Sequence, residues 1–252
     1  MVRVALTRPV SATIADCELT FLERQPIDAE RAAAQHEDYE RCLAEHCRVE
    51  HLPAAPHLPD AVFVEDTALV LDTIAIITRP GAEPRRRETD SVATALQRYR
   101  PLSRIAAPGT VDGGDILLLD RTIYAGRSQR TNDDGIAQLR ALAPGYEIVP
   151  VSFRACLHLK SAVTRIGDRT LLLNPEWVDS RLFAGFEAVA VHPSEPHAAN
   201  ALRLDDVVIL SASHPRTRDA VERLGYRVES VDVSELEKAE AGVTCCSIIL
   251  NE

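Results

Sequence analysis

Asp115–Ala125, DILLLDRTIYA, is a pair of short apolar runs around an Asp-Arg turn. Two polar residues between β-rich runs read as a hairpin. The same plan occurs at Ala68–Ile77 (ALVLDTIAII), Ala162–Leu173 (AVTRIGDRTLLL) and Ala201–Leu210 (ALRLDDVVIL). Each turns at an aspartate: Asp72, Asp120, Asp168 and Asp206. A supersecondary plan that recurs along the chain signals a repeat architecture.

The segments after the hairpins repeat as well. Thr89–Arg100 places Val92, Leu96 and Tyr99 on one helical face, Thr131–Leu142 does so with Ile136, Leu139 and Leu142, and Thr217–Leu224 with Ala220, Val221 and Leu224. Gly145 and Gly225 follow two of these helices as C-terminal stops. Apolar strands come next, at Leu102–Ala106, Tyr146–Val151, Ala188–Val191 and Tyr226–Val233. The unit is strand–strand–helix–strand. The chain ends supply a fifth copy. Cys246–Leu250 (CSIIL) is a strand with nothing after it, Val2–Leu6 (VRVAL) is a strand with nothing before it, and Asp28–His46 and Val49–Leu52 add the helix and closing strand. Joining tail to head gives an α/β fold of five ββαβ units in a closed ring with pseudo-five-fold symmetry, one unit split between the N- and C-termini. An open α/β sheet with chance hairpins is the alternative.

Composition is consistent with one globular domain spanning residues 1–252. Apolar residues make up 46 % and charged residues 26 %, the balance of a chain that buries a core. Asp and Glu outnumber Lys and Arg 38 to 28, for a net charge of −10. That disfavours nucleic acid and suits a cationic small molecule. No run of 18 apolar residues exists to span a membrane, and the start is too short and too charged for a signal peptide. The six cysteines are sparse and two are adjacent, so no disulfide framework is expected and the expected location is cytoplasmic.

The segments just before each unit's first strand carry the reactive residues. They are Asp60–Asp66, Val111–Asp115, Leu157–Lys160, His197–Asn200 and Gly242–Cys246. In a ring these junctions share one end of the axis, so residues distant in sequence converge there. A cysteine nucleophile needs a general acid/base, and that group needs an orienting partner. Cys245, His158 and Asp112 are of those three types.

Five segments, FVEDTA, VDGGD, RTN at 130–132, LHLKS and GVTCCS, occur in this order. Together, from about Leu58 to the end, they resemble the dimethylarginine dimethylaminohydrolase family, enzymes of the pentein fold, a five-unit α/β propeller. The resemblance implies hydrolysis of N-ω-methylated arginine to citrulline and an amine through a Cys-bound thiouronium, with no cofactor and no metal. It implies Cys245 as nucleophile, His158 as acid/base and Asp112 as the partner of His158. Cys246 is then a buried residue beginning a strand. Asp60, Glu65 and Asp66 match the family's guanidinium-binding acids, which suits a planar cation with several N–H donors. Arg85 and Arg130 match the arginines on the substrate carboxylate, with Arg86 as a neighbouring choice. Leu19 matches a lid position with a one-residue shift, and Ala239 offers a backbone carbonyl to the α-amino group.

Other readings fit less well. Cys42 and His46 share a helix face, but Cys47 and His51 do not complete a usual zinc spacing. Val111–Asp115 lacks a phosphate-loop pattern. Deiminase-like arginine chemistry and a non-catalytic binding role of the ring remain alternatives; retention of the reactive set weighs against the second. The accepted guanidine substituents and the choice between monomer and homodimer stay open.

Overall fold

Fifteen strands form five separate three-stranded sheets in the computed structural model, which describes residues 2–252. In every sheet the middle strand pairs antiparallel with its hairpin mate and parallel with the strand that closes the unit. The first unit holds β3 (Ala68–Val70), β4 (Ala75–Ile77), α2 (Thr89–Leu96) and β5 (Leu102–Arg104). The second holds β6 (Ile116–Leu119), β7 (Thr122–Arg127), α3 (Asp133–Leu142) and β8 (Glu147–Ser152). The third holds β9 (Val163–Arg165), β10 (Thr170–Leu173) and β11 (Glu187–Ala190). The fourth holds β12 (Leu202–Leu204), β13 (Val207–Ser211), α5 (Pro215–Arg223) and β14 (Arg227–Val231). The fifth joins the termini: β15 (Ile248–Asn251) pairs with β1 (Arg3–Thr7), which pairs with β2 (Arg48–His51) after α1 (Ala29–Ala44). Two single-turn helices, α4 (Leu159–Ala162) and α6 (Ser234–Glu237), sit at junctions. The ring expected from the hairpins is therefore present, split where the ends demand it.

Local chemistry accounts for the helices. Asp28 caps α1 by accepting the N–H groups of Glu30 and Arg31, and Ala32, Gln35, His36, Tyr39 and Leu43 form its buried face. Asn132 caps α3 through Gly135 N–H at 2.8 Å. Gly225 ends α5 with a φ of +91°, which glycine adopts freely, whereas Gly145 has no such conformation and α3 ends at Leu142.

Three expectations need correction. The third unit has no α-helix between β10 and β11, only a single 3-10 turn at Ser180–Leu182. Val178 and Phe183 fill that seam, with the Phe183 ring 4.9 Å from that of Tyr124. The fourth hairpin turns through both Asp205 and Asp206, and it is Asp205, with a φ of +54° like that of Asp120, that takes the position of the other turn aspartates. The last strand begins at Ile248 and not at Cys246.

The core is five seams, one between each pair of neighbouring units. Leu69 and Ile76 of the first unit meet Ile123, Ile136 and Leu139 of the second, and Val4, Leu6 and Ile248 of the fifth meet Ile77, Val92 and Leu96 of the first. Burying each such side chain contributes roughly 1.5–3 kcal/mol, so no unit is stable without its neighbours. At the hairpin end each turn aspartate meets an arginine of the next unit. Arg121 reaches Asp72, Arg165 reaches Asp120, Arg203 reaches Asp168 and Arg3 reaches Asp205, at 2.6–3.3 Å. Arg100 closes the circle on the Asn251 carbonyl at 2.6 Å. The repeated turn aspartate of the sequence thus marks an inter-unit contact.

Candidate active site

The opposite end of the axis gathers the junctions. Two glycines of VDGGD explain how closely they approach. A Cβ on Gly113 would lie 1.9 Å from the Glu65 carbonyl oxygen, and one on Gly114 would lie 2.5 Å from His158 Nδ1. Gly114 N–H donates to Asp66 Oδ1 at 2.9 Å. Asp115 ties in two further motifs. Its Oδ1 accepts Leu159 N–H at 3.0 Å at the start of α4, and its Oδ2 accepts the Ser128 hydroxyl at 2.6 Å. Ser128 Oγ in turn accepts the N–H groups of Arg130 and Thr131. Asn200, from the fourth junction, holds Thr244 by two bonds of 3.0 Å and so fixes the cysteine loop.

His158 is buried with Nε2 3.0 Å from Asp112 Oδ2 and Nδ1 3.8 Å from Asp66 Oδ1. Asp112 spends its other oxygen on Gly81 N–H at 2.9 Å. Burial alone would lower the imidazole pKa, but Asp66 and the bond to Asp112 overcome it and raise the value to about 9. Asp66 also accepts Arg85 Nη1 at 2.7 Å. Burial would raise its pKa, and the charges of His158 and Arg85 pull it well below the usual carboxylate range. The Cys245 thiol is buried and accepts Gly242 N–H at 3.4 Å. Burial, then the charges of Glu65 and Asp66, push it up to about 12. At neutral pH the resting pair is imidazolium and thiol.

A small cavity is lined by Cys245, His158, Asp60, Asp66, Arg85, Arg130 and Ala239, all expected from the sequence. Its volume is about 10 Å³, room for one water at most. The Arg130 guanidinium is buried there with Nη1 lacking a hydrogen-bond partner, while Nη2 donates to Thr20 Oγ1 at 3.3 Å. Asp112 Oδ2 balances its charge from 3.6 Å, but the N–H left without a hydrogen bond costs free energy that an anion entering the cavity would recover.

The profile described as N,N dimethylarginine dimethylhydrolase, eukaryotic, matches residues 11–250. The N(G),N(G)-dimethylarginine dimethylaminohydrolase of Pseudomonas aeruginosa is 40 % identical over 227 residues, 88 % of this chain and 89 % of its own length. That of Streptomyces coelicolor is 39 % identical over 98 % of this chain and 97 % of its own. The chain belongs to the dimethylarginine dimethylaminohydrolase family. The structure of a cysteine-to-serine variant of the Pseudomonas enzyme complexed with citrulline superposes with a TM-score of 0.94 at 37 % identity, covering 99 % of this chain and 100 % of the other. The N-terminal domain of a cyanobacterial arginine dihydrolase, 18 % identical with a TM-score of 0.91 over 100 % of this chain and 98 % of its own, shares the fold. The ring is thus the pentein propeller.

In this dimethylarginine dimethylaminohydrolase family member, three expected residues stand apart from the cavity wall. Asp112 lies behind His158, as a partner should. Glu65 turns the other way, to Lys160 Nζ at 2.5 Å and the Thr244 hydroxyl at 2.7 Å. Those three residues border a second cavity of about 480 Å³, which also reaches Arg3, Arg165 and Arg203 at the hairpin end. Leu19 packs into the core, and Glu18 takes the wall position, its N–H 3.1 Å from Asp60 Oδ2. Arg85 lines the cavity with its guanidinium occupied by Asp66, Glu88 and the carbonyls of Phe63 and Asp60. Arg86 donates to the Pro80 carbonyl.

Sequence reasoning missed Phe63, Leu157, Glu18, Glu240 and Ala241 on the wall; Phe63 had a signal, lying between Asp60 and Glu65. Cys246 is buried in the core, with its thiol pKa pushed well up by burial. Asp66, Asp112 and His158 present donor atoms within 4.8 Å of one another, a set that suits a cation, but those atoms already bond Gly114, Arg85, Gly81 and each other. Cys42 and His46 do converge, on Glu229 at 3.3 and 2.9 Å, where Arg227 also pairs; they staple α1 to β14. No helix among the described residues is long and apolar enough to cross a membrane.

Proposed function

We propose that this protein hydrolyses N-ω-methylated arginine, asymmetric dimethylarginine or monomethylarginine, to citrulline and dimethylamine or methylamine. The observation that carries the reading is one cavity holding a buried thiol, an imidazole with a raised pKa, two carboxylates and an arginine with a free N–H. Asp60 and Asp66 receive the substrate guanidinium. Arg130 takes the α-carboxylate, and Ala239 O takes the α-amino group. Arg85, saturated by acids, fixes Asp66 and contributes positive potential near the carboxylate.

The carboxylates that keep the thiol protonated are neutralised by the incoming guanidinium. Binding therefore favours loss of the Cys245 proton to solvent, which leaves the thiolate beside an imidazolium that keeps its own proton. The thiolate attacks the guanidinium carbon. Collapse of the tetrahedral adduct expels the amine, which takes a proton from the His158 imidazolium, and leaves a thiouronium on Cys245. Neutral His158 then deprotonates a water, which attacks the same carbon; the C–S bond breaks, Cys245 leaves as thiolate and takes up the proton shed by the new hydroxyl, and citrulline is released with His158 again the imidazolium. Asp112 orients the ring and stabilises its charged form. The reading accords with a cytoplasmic protein acting on a free amino acid derivative without a cofactor.

Acid-quenched enzyme examined by mass spectrometry during turnover should carry a substrate-derived adduct on Cys245, together with citrulline in solution. An adduct on Cys246, or one undiminished in Cys245→Ser, would falsify the assignment.

A further inference from the structure

Residues 18–27 make no backbone–backbone hydrogen bond among the described residues. They nevertheless pass over the catalytic cavity, with Glu18 on its wall and Thr20 on Arg130. Apolar packing holds only its flanks, through Leu19 and Ile27 against the core, while Phe21 and Leu22 at its crest are exposed. Polar side chains hold the rest. Asp60 takes Glu18 N–H, Arg24 reaches back to the carbonyls of Ala15 and Cys17, and Lys238 donates to the Pro26 carbonyl at 3.0 Å. The densest contact is one carboxylate, that of Glu240. It accepts three consecutive N–H groups: Thr20 at 2.9 Å, Phe21, and Leu22 at 2.5 Å. Successive N–H groups turned to one point form an anion-binding nest. Glu240 reaches it from a left-handed backbone, with φ at +61°, a conformation that costs energy for any residue with a Cβ.

We infer that Glu240 is the positioning residue of the substrate-carboxylate site: its carboxylate clamps the strap and so sets Thr20 against Arg130. This rests on the carboxylate role proposed for Arg130. The Thr20 hydroxyl accepts from Nη2, and Nη1, 3.6 Å from Asp112, is left without a hydrogen bond. Without the clamp, Thr20 has no other backbone tether, and the arginine loses its guide. The cavity is also too small for an amino acid while the strap is down. The three bonds to Glu240 must therefore open to admit substrate and re-form around it. Glu240 belongs to the same turn as Ala239, so the clamp and the proposed amino-group acceptor move as one piece. Both ends of the substrate's amino acid moiety are then gripped by elements that Glu240 joins.

The test compares Glu240→Ala and Glu240→Gln with the parent enzyme in three readouts. The first is steady-state kinetics on methylarginine and on a methylated alkylguanidine without the carboxylate. Losing charge-assisted bonds should raise KM for methylarginine about tenfold or more in Glu240→Ala, with kcat within about twofold. The alkylguanidine should hardly change, so discrimination between the two falls. Glu240→Gln keeps an acceptor oxygen and should fall between, a rescue that a purely steric defect would not give. The second readout is alkylation of Cys245 by iodoacetamide without substrate, which should accelerate several-fold as the strap lifts. The third is trypsin cleavage after Arg24, which should accelerate in parallel. Unchanged alkylation and cleavage rates in folded Glu240→Ala would overturn the clamp, as would equal KM changes on both substrates. Arg130→Ala separates this from the underlying reading. If Arg130→Ala leaves discrimination intact, the arginine's role fails, while the alkylation and cleavage rates still decide whether Glu240 clamps the strap.

Discussion

The two ends of the propeller axis use the same residue, aspartate, to opposite effect. At the hairpin end Asp72, Asp120, Asp168 and Asp205 each meet an arginine from the next unit, with more than half of every carboxylate side chain in water. At the junction end Asp66 and Asp112 meet His158 and arginines with almost no exposure. Geometry barely differs: Asp168 lies 2.7 Å from Arg203, and Asp66 lies 2.7 Å from Arg85. Solvent makes the difference. Water screens the exposed pairs, and each costs side-chain entropy to hold. Buried charges act at low dielectric, where they shift the pKa of every neighbour and where losing one partner strands the other. The scaffold places aspartates at both ends, and only burial turns one set into chemistry.

The largest effect expected is that of His158→Ala, which removes the proton donor at the centre of the buried set. Turnover should fall by about 10²–10⁴-fold, with adduct formation blocked at departure of the amine. The parent enzyme should lose kcat/KM as pH rises through about 9, where the imidazolium deprotonates. Stability should follow the same group. The folded pKa lies above the unfolded value of about 6.5, so its contribution is complete below pH 6.5 and vanishes as pH rises through about 9. Thermal melts from pH 6 to 10 should show this slope in the parent and lose it in His158→Ala. An identical slope in both proteins would place the charge elsewhere.

Asp66→Asn comes next. It keeps the shape, removes one charge from His158 and Arg85, and removes an acceptor for the substrate. A hydrogen bond to a charged group is worth about 1.5–3 kcal/mol, so kcat/KM should fall about tenfold or more. The His158 pKa should also drop, moving the alkaline limb of the pH profile down. A kcat/KM equal to that of the parent would remove Asp66 from the site. Arg130→Ala should act more narrowly, weakening methylarginine and sparing an alkylguanidine that lacks the carboxylate. Equal losses on both would give Arg130 a structural role.

The comparison also explains what the sequence disclosed. Hairpins and helix faces have periods of two and 3.6, so the five units and their seams are legible from apolar spacing. The missing α-helix of the third unit is not, because Trp177, Val178, Phe183 and Phe186 fill its place from a loop whose one regular piece is the 3-10 turn Ser180–Leu182. The junctions carry single turns, 3-10 at Val64–Thr67 and Gly113–Asp115 and α at Leu159–Ala162, too short to show a period. Glu65 and Asp66 are neighbours in the turn Val64–Thr67, yet one faces Lys160 and the other the cavity. Motif order located these acids; it could not orient them. The Leu19 match needs a one-residue shift for a related reason, since the strap has no regular structure to fix its register. Glu240 left no local signal at all: its three partners lie about 220 residues away in the chain.

The smallest effect expected is that of Asp120→Asn, the same chemical change as Asp66→Asn made at the hairpin end. It breaks the pairings with Arg165 at 3.0 Å and Arg169 at 3.5 Å. Both lie in high dielectric, so kcat/KM should match the parent and the melting temperature should move by no more than about 2 °C. Asparagine also tolerates the left-handed backbone of this turn, where φ is +54°. Asp120→Val brings the same loss of charge with a β-branched side chain that resists positive φ. It should destabilise clearly more than Asp120→Asn, and the excess measures backbone strain separately from the ion pair. If Asp120→Asn instead lowered the melting temperature as much as Asp120→Val, the inter-unit pairs would hold the ring together as ions. The contrast between the two ends would then fail, and burial would not be what separates an aspartate that shapes the scaffold from one that drives the reaction.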